Sequence, residues 1–274
     1  LGENGGSLEG KKVTLVYHNS AYGKEPIRTL ELLSKKHGFE FSAIPVDHPG
    51  QEQKSQWLQI RRERPDFILM WGWGVMNSVA IQEASNIRFP MENFIGVWWS
   101  GSENDVVPAG MAANGYKSLA MHAPGSDYGI YDQLKQHIYD KGKSAGAGDQ
   151  IGSVLYNRAL YIAFLTHMAI EKAQEVTGVA DISQADMIKG MEALNITDAL
   201  MAEHGLAGFA PSFSVSCENH GGGGLGAVQQ WDAAAKTWTL ISDFIEADME
   251  LIAPLITEDS EAFAKENNLS MRCG

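Results

Sequence analysis

The sequence predicts an α/β fold built on a doubly wound parallel sheet. In its first half, short runs rich in Val, Ile, Leu and aromatic residues alternate with segments whose apolar residues recur every three or four positions. Such alternation is typical of parallel strands joined by right-handed helical crossovers. The chain has 274 residues and a hydrophobic content of 44%, which is enough for a substantial core.

The first half contains five candidate strands and four candidate helices. The strands are predicted at 13–18, 39–46, 66–71, 94–98 and 115–121. The helices are predicted at 24–37, 51–63, 75–86 and 128–140. Pro65 separates the second helix from the third strand, because proline ends a helix sharply.

The second half begins after a small-residue loop at 141–148. A long helix is predicted at 152–175, and another starts at Ser183, where Asp186 completes an approximate capping box. The remaining elements are strands at 212–216, 226–231 and 237–242, a hairpin loop at 232–236, and a final amphipathic helix near 258–267.

The bulk composition argues against several classes of partner. The net charge is −13 and the pI is near 5.0, whereas nucleic acid and anionic membranes attract basic surfaces. No apolar run approaches the roughly 20 residues of a membrane span, so we expect no direct membrane insertion. Eight scattered histidines and two cysteines give no metal spacing, and the two cysteines are either both free or paired once.

Two segments match known functional motifs but lack the secondary structure that those motifs require. Residues 221–226 contain G-x-G-x-x-G, but a strand-like segment follows where a dinucleotide site needs a helix. Residues 142–146 match G-x-S-x-G, but this serine follows a helix, whereas a nucleophile elbow lies between a strand and a helix. No catalytic base is paired with an oriented nucleophile, so we expect no enzymatic activity and no cofactor.

Polar and aromatic side chains follow the predicted strands at their carboxyl ends. Loops at that edge of a parallel sheet converge, and small-molecule pockets combine aromatic walls with a few polar groups. Asp47 and His48 follow the second strand, and Trp71 ends the third. The ligand contacts that we predict are Asn19, Ser20, Tyr22, Trp73, Trp98, Trp99, Ser100 and His122.

Alternative roles for the tryptophans stay open. Trp71 lies nearest its strand and is compatible with a place in the core or against a helix. Trp98 and Trp99 are adjacent, and neighbouring side chains of an extended strand face opposite sides. We therefore expect at most one of these two rings to line a pocket.

The order of four segments resembles periplasmic solute-binding proteins of the branched-chain amino acid transporter type. These segments are VTLVYHNSAYGKE, PDFILMWGWGVMNSVAIQEA, GSVLYNRALYIAFLTHMAIEKAQ and GFAPSFSVSCENHGGGG. The resemblance implies the type I periplasmic binding protein fold, in which two lobes close on a solute. It also implies a periplasmic location and a membrane permease of an ATP-driven (ABC) transporter as partner.

The resemblance places the second-lobe contacts on Tyr22, Trp73 and Trp98. Amino acid binders of this family have an acidic residue near the position of Trp98, to pair with the ligand ammonium group. This chain has Trp98-Trp99-Ser100 there, with Glu103 and Asp105 further on. The expected solute is therefore an amino acid, an amide or an aromatic acid, with preference for an aromatic or weakly cationic molecule.

The resemblance also divides the chain. Residues 1–151 are expected to form the sheet domain of the second lobe, 152–205 the helices of an otherwise missing first lobe, and 206–274 a return segment. On this reading the chain begins in the middle of its protein. Export would allow Cys217 and Cys273 to form a disulfide that ties down the C-terminal segment, with two free thiols as the alternative.

Two other functions stay open. One is a ligand-sensing receptor or regulatory domain of the same fold. The other is an α/β hydrolase or oxidoreductase that uses the same strand-end site together with His48 and His122.

Overall fold

A computed structural model describes residues 6–270 and residue 273. The chain divides into two compact units. Unit 1 comprises Leu1–Ala120 and Ala227–Asp243, and unit 2 comprises Met121–Gly226 and Phe244–Gly274.

The strands and helices follow one another along the chain with short connections. The strands are β1 (Lys12–His18), β2 (Glu40–Val46), β3 (Phe67–Trp71), β4 (Phe94–Gly96), β5 (Lys117–Ala120), β6 (Asn195–Ile196), β7 (Phe213–Ser214), β8 (Leu225–Asp232), β9 (Thr237–Leu240) and β10 (Ile245–Glu246). The α-helices are α1 (Ala21–His37), α2 (Lys54–Glu63), α3 (Val75–Asn86), α4 (Glu103–Val106), α5 (Gly129–Leu134), α6 (Val154–Thr177), α7 (Gln184–Glu192), α8 (Asp198–Glu203) and α9 (Met249–Glu266).

Unit 1 is organised around a mostly parallel sheet. Its parallel strands lie in the order β2-β1-β3-β4-β5, and residues 227–230 of β8 pair antiparallel with β5. Strand β9 pairs with β8 as a hairpin. Leu15 and Val16 of β1 and Ile68 of β3 are fully buried, so the central strands are covered on both faces, as a doubly wound sheet requires.

The helix starts of unit 1 lie directly beyond the strand ends. Ser20 caps α1, its Oγ accepting a hydrogen bond from the Gly23 amide at 3.3 Å. Gly72 lies between β3 and α3, and a Cβ added there would approach Asn77 Oδ1 to 2.2 Å. Only glycine therefore allows this close approach between the end of β3 and the first turn of α3.

Unit 2 is organised around helices α6 and α7. Its buried core consists of Phe164, Met168, Ala169, Leu194, Ile196, Met201, Leu206, Phe209 and Ala210. The disulfide Cys217–Cys273 lies in this unit, so the predicted pairing of the two cysteines is present in the structure. Strand β10 pairs with Leu225 and Gly226.

Most predicted elements are confirmed to within a few residues. The first five strands are present and parallel, and the long helix predicted at 152–175 is α6. Ser183 and Asp186 form the expected capping box at the start of α7. The glycine run at 221–224 leads into β8 and not into a helix, in agreement with the rejection of a dinucleotide site.

Two predicted boundaries are wrong. The fourth strand was expected to reach residue 98 but ends at Gly96, and Trp98–Ser100 form a 3₁₀ turn. The final helix was expected near 258–267 but begins at Met249, where Asp248 accepts from the Leu251 amide at 3.3 Å. Pro254 lies inside this helix. A proline normally interrupts a helix, but here the helix continues and lacks one backbone donor.

The predicted division at residues 151 and 205 differs from the division into compact units. The assignment of 152–205 to another lobe stays a prediction. Among the described residues, no helix combines the length and hydropathy that crossing a membrane demands.

Candidate functional site

Five aromatic side chains of unit 1 form a continuous surface, here called the aromatic face: Tyr22, Trp71, Trp73, Trp98 and Trp99. The Tyr22 ring lies 6.3 Å from Trp71 and 6.2 Å from Trp73, centroid to centroid. Trp73 lies 5.0 Å from Trp99, and Trp99 lies 4.3 Å from Trp98. The five rings come from the ends of three parallel strands, β1, β3 and β4.

Two rings of the aromatic face are unusually exposed. Trp73 is 50% exposed and Trp99 is 37% exposed, whereas the other three rings are partly buried. Large apolar side chains that cluster at a surface mark a site of interaction more often than single exposed ones do. These two indoles therefore present a flat apolar surface to solvent.

Two polar atoms of the aromatic face are the Tyr22 hydroxyl and the Trp71 Nε1. The Tyr22 hydroxyl donates to the Gly72 carbonyl at 3.1 Å. Burial, and then the nearby Glu25 carboxylate, raise the pKa of Tyr22 well above its usual value, so the hydroxyl stays a neutral donor. The Trp71 Nε1 is buried and has no hydrogen-bond partner among the described residues.

A buried polar network supports the aromatic face from below. Asn77 has no exposed surface, and its Nδ2 donates to Asp105 Oδ1 at 2.8 Å and to the Trp99 carbonyl at 3.1 Å. The Ser100 hydroxyl donates to Asn77 Oδ1 at 3.0 Å. Asp105 Oδ2 accepts from the Ser102 amide and hydroxyl at 2.8 and 2.7 Å. The side chains of this network are buried, so the network fixes the turn that carries Trp98 and Trp99.

Further hydrogen bonds fix the backbone of the same turn. The Tyr116 hydroxyl donates to the Ser100 carbonyl at 3.0 Å, and Gln229 Nε2 donates to the Gly101 carbonyl at 2.8 Å. Burial, and then the Asp105 charge, raise the pKa of Tyr116, which keeps this hydroxyl protonated. The turn after β4 is thus held by buried donors from β8 and from the segment before β5.

The remaining polar residues that we predicted after β1 lie beside the end of β2. Asn19 Nδ2 donates to Asp47 Oδ1 at 2.7 Å. The Ser20 hydroxyl lies 2.9 Å from His18 Nδ1, and the His18 and His48 rings meet edge to face at 5.7 Å. The sequence-based juxtaposition of these two strand ends is therefore present in the structure.

Two predicted contacts have different surroundings. Ser100 is fully buried, so its hydroxyl offers no exposed surface in this conformation. His122 belongs to unit 2, where its ring stacks on Phe209 at 5.3 Å with an angle of 10°. The ligand-binding roles of both residues stay predictions.

The expectation that Trp98 and Trp99 face opposite sides is wrong. It assumed an extended chain, but the 3₁₀ turn over Trp98–Ser100 brings the two rings to a centroid distance of 4.3 Å and an angle of 40°. Both indoles therefore belong to one surface.

Sequence reasoning left out several residues of this site, among them Trp71 and Asn77. Trp71 was left open between core and surface, and the structure places it against Tyr22. Asn77 was not singled out, although it lies on the same helical face as Ile81 and Ala84, which are buried. A lone carboxamide on an apolar helical face is the signal that would have indicated a buried hydrogen-bond network.

A hollow elsewhere in unit 1 has a different character from the aromatic face. It has a volume of about 1010 Å³, and Lys12, Arg61, Arg62 and Arg64 are among its lining residues. Lys12 begins β1, so this hollow is at the amino ends of the strands and has no aromatic wall. We therefore take the aromatic face as the better candidate for a small organic ligand.

Comparison with known proteins gives one family and several structural relatives. A family model described as "Periplasmic binding protein" matches residues 3–236. The chain is similar to a solved structure from the Pseudomonas fluorescens group described as an ABC transporter permease, with 44% identity and a TM-score of 0.90. That match covers 97% of this chain and 64% of the other. A search of curated protein sequences gave no significant match.

Two more distant structures share the fold. One is a branched-chain amino acid ABC transporter from Thermus thermophilus with bound valine, at 16% identity and a TM-score of 0.69, covering 88% of this chain and 62% of the other. The other is a solute-binding protein of an ABC transporter from R. palustris in complex with benzoate, at 15% identity and a TM-score of 0.61, covering 87% and 60%. The chain therefore spans less than two thirds of the length of these three structures.

Proposed function

Since the chain belongs to the periplasmic binding protein family, we propose that it is the solute-binding component of an ABC importer. In this proposal the protein is located outside the cytoplasm. It captures a small organic solute between two lobes and delivers it to a membrane permease. Its α/β architecture is the one expected for the type I fold of this family. The disulfide supports a location in an oxidising compartment.

The observation that carries the proposal is the aromatic face at the carboxyl ends of β1, β3 and β4. Ligands of open α/β sheets bind at this edge. Trp73 and Trp99 expose their rings there, while hydrogen bonds from Asn77 and Gln229 hold the turn after β4 in place. A rigid, exposed aromatic surface is suited to binding because little conformational entropy is lost when a ligand covers it.

The charges near the aromatic face favour an aromatic acid or an amide as the solute. Asp47 accepts a hydrogen bond from Asn19, and Asp105 is buried with bonds from Ser102 and Asn77. Both carboxylates are already engaged in these hydrogen bonds, and Glu25 beside Tyr22 is a further acidic group near the face. Stacking and apolar contact with Trp73 and Trp99 are then the main sources of affinity from this surface.

Binding can be measured by calorimetry and by tryptophan fluorescence with benzoate, an aromatic amide, leucine and valine. We expect binding of an aromatic acid or amide, with a change in indole emission. Trp73→Ala should weaken that binding about 10- to 100-fold, because loss of a large buried aromatic contact removes about 1.5–3 kcal/mol.

Phe263→Ala is the matched control, since Phe263 is 61% exposed on α9 and lies outside the aromatic face. This variant should bind as the unmodified protein does. Tight binding of leucine together with no binding of aromatic acids or amides would contradict the proposed solute class. Equal affinities of the Trp73→Ala variant and the unmodified protein would contradict the proposed site.

A further inference from the structure

A basic surface lies at the amino ends of the strands of unit 1, at the opposite edge of the sheet from the aromatic face. The hollow of about 1010 Å³ at this edge is lined by Lys12, Arg61, Arg62 and Arg64 among others. A neighbouring hollow, of about 340 Å³, has Arg61, Arg64 and Arg88 among its lining residues. Because Arg61 and Arg64 line both hollows, the two are adjacent, and together they are here called the basic depression.

The positive charge of the basic depression is only partly balanced. Its four arginines are exposed, and none of them makes an ion pair or a side-chain hydrogen bond within the described part of the chain. The larger hollow contains one carboxylate, that of Glu63, which accepts a hydrogen bond from Gln59 Nε2 at 2.8 Å. Lys12 Nζ lies 3.7 Å from a carboxylate oxygen of Glu40. The lining residues therefore carry an excess of positive charge, in a chain whose net charge is −13.

The ends of α2 and α3 place these arginines. Arg61 and Arg62 lie in the last turn of α2, where the free carbonyls of a helix end favour cations. That effect does not explain the backbone of Arg64 and Arg88, whose φ angles are 51° and 61°. Glycine adopts such angles without the steric cost that a side chain brings. Arginine at both positions therefore favours a role for these two side chains.

We propose that the basic depression binds a phosphate-bearing anion. A guanidinium group presents parallel N–H donors that match two phosphate oxygens, and it is more weakly hydrated than the ammonium group of lysine. Several arginines around one open depression allow more than one of them to contact the same polyvalent anion. Since the depression and the aromatic face lie at opposite edges of the sheet, the anion does not occupy the place proposed for the organic solute.

Isothermal titration calorimetry of the full chain with pyrophosphate at low salt tests this proposal, with citrate as a polycarboxylate for comparison. We expect one pyrophosphate per chain, weaker binding of citrate, and a loss of affinity as added salt screens the charges. Arg61→Ala/Arg64→Ala should weaken pyrophosphate binding about 10- to 100-fold, because it removes the charge-assisted hydrogen bonds of the two arginines that both hollows share.

Lys141→Ala/Lys143→Ala is the matched control, since it removes the same charge from exposed positions of unit 2. It should leave the affinity for pyrophosphate unchanged. Equal affinities of the arginine variant and the unmodified protein would overturn the proposal, as would an equal loss in the lysine variant. Absence of pyrophosphate binding, or citrate binding as tight as that of pyrophosphate, would also overturn it.

Sedimentation with vesicles of phosphatidylglycerol, and with vesicles of phosphatidylcholine as the uncharged comparison, distinguishes two sources of the phosphate group. Binding to phosphatidylglycerol that is lost in the arginine variant would assign the site to a lipid headgroup. Pyrophosphate binding without vesicle binding would assign it to a soluble phosphate compound, which is the result we expect for an acidic chain.

Discussion

At the scale of single residues, the aromatic face depends on side chains that do not belong to it. Trp73 and Trp99 are exposed, and exposed indoles gain little from packing. Their positions are set from beneath by Asn77, whose carboxamide bonds to the Trp99 carbonyl, Ser100 and Asp105. Because Ser100 and Asp105 are buried, loss of Asn77 leaves both without water to replace it.

Asn77→Ala should therefore lower the free energy of unfolding by about 3 kcal/mol, since it leaves a buried carboxylate and a buried hydroxyl short of a partner. Urea unfolding followed by tryptophan fluorescence measures this change. Asn86→Ala is the matched control on the same helix, because Asn86 is exposed and its Oδ1 accepts a long hydrogen bond, of 3.4 Å, from Gln82 Nε2. That control should change stability by less than about 0.5 kcal/mol. Equal effects of the two substitutions would show that the network does not stabilise the turn.

The buried His122 should make the free energy of unfolding depend on pH. It is buried, its Nδ1–H donates to the Ala123 carbonyl at 3.1 Å, and burial lowers its pKa, with Arg158 adding to the decrease. The folded state therefore binds a proton less readily than the unfolded state, whose histidine pKa is about 6.5. Stability is fully present above about pH 6.5 and is lost as the pH falls below it, until the folded pKa is reached.

The slope for this one group has an upper limit of about 1.4 kcal/mol per pH unit. Unfolding curves measured between pH 7.5 and 5 give the slope. His122→Asn should flatten it, while His137→Asn, at an exposed position, should leave it unchanged. A slope that is the same in all three proteins would rule out His122 as its source.

At the scale of elements, local sequence decided most of the fold. The alternation of buried strands and amphipathic helices predicted the parallel sheet, and Ser183 and Asp186 predicted the start of α7. The errors arose where tertiary contacts override local preference. Residues 94–98 look extended, but hydrogen bonds from Asn77 and Tyr116 hold the chain after Gly96 in a turn. The residue pattern of this segment does not indicate hydrogen-bond partners that lie 16–22 residues away in sequence.

The packing of α6 on α7 gives a second prediction at this scale. Gly190 of α7 faces α6, and a Cβ added there would lie 2.4 Å from the Ala169 carbonyl oxygen and 2.6 Å from Ala173 Cβ. Gly190→Ala should therefore destabilise the protein by about 2 kcal/mol, although alanine has the higher helix propensity. Thermal unfolding measures the change. Gly146→Ala is the control, because a Cβ at Gly146 meets nothing within 4 Å. A Gly190→Ala variant as stable as the control would mean that the two helices do not approach this closely.

At the scale of the whole molecule, the grouping of side chains in the candidate site was predicted in part. The sheet brought Tyr22, Trp73 and Trp99 together because the carboxyl ends of parallel strands share one edge. His122 follows β5 by the same logic, yet the chain enters unit 2 at Met121, and its ring packs on Phe209 of that unit. The expectation that ligand contacts follow the carboxyl ends of strands does not indicate where the chain leaves a sheet domain. It therefore grouped His122 of unit 2 with residues of unit 1.

The disulfide gives the last prediction, because it connects segments that are far apart in sequence. Cys217 and Cys273 are separated by 56 residues, and closing a loop of this length stabilises a folded chain by about 4 kcal/mol through the entropy of the unfolded state. The Cys217→Ser/Cys273→Ser variant should therefore lose about that amount in guanidinium unfolding. Reduced, unmodified protein serves as the control and should match the variant, because both lack the covalent link. Two reactive thiols in the denatured, unreduced protein would contradict the disulfide, and a loss below about 1 kcal/mol would mean that other contacts already hold the C-terminal segment in place.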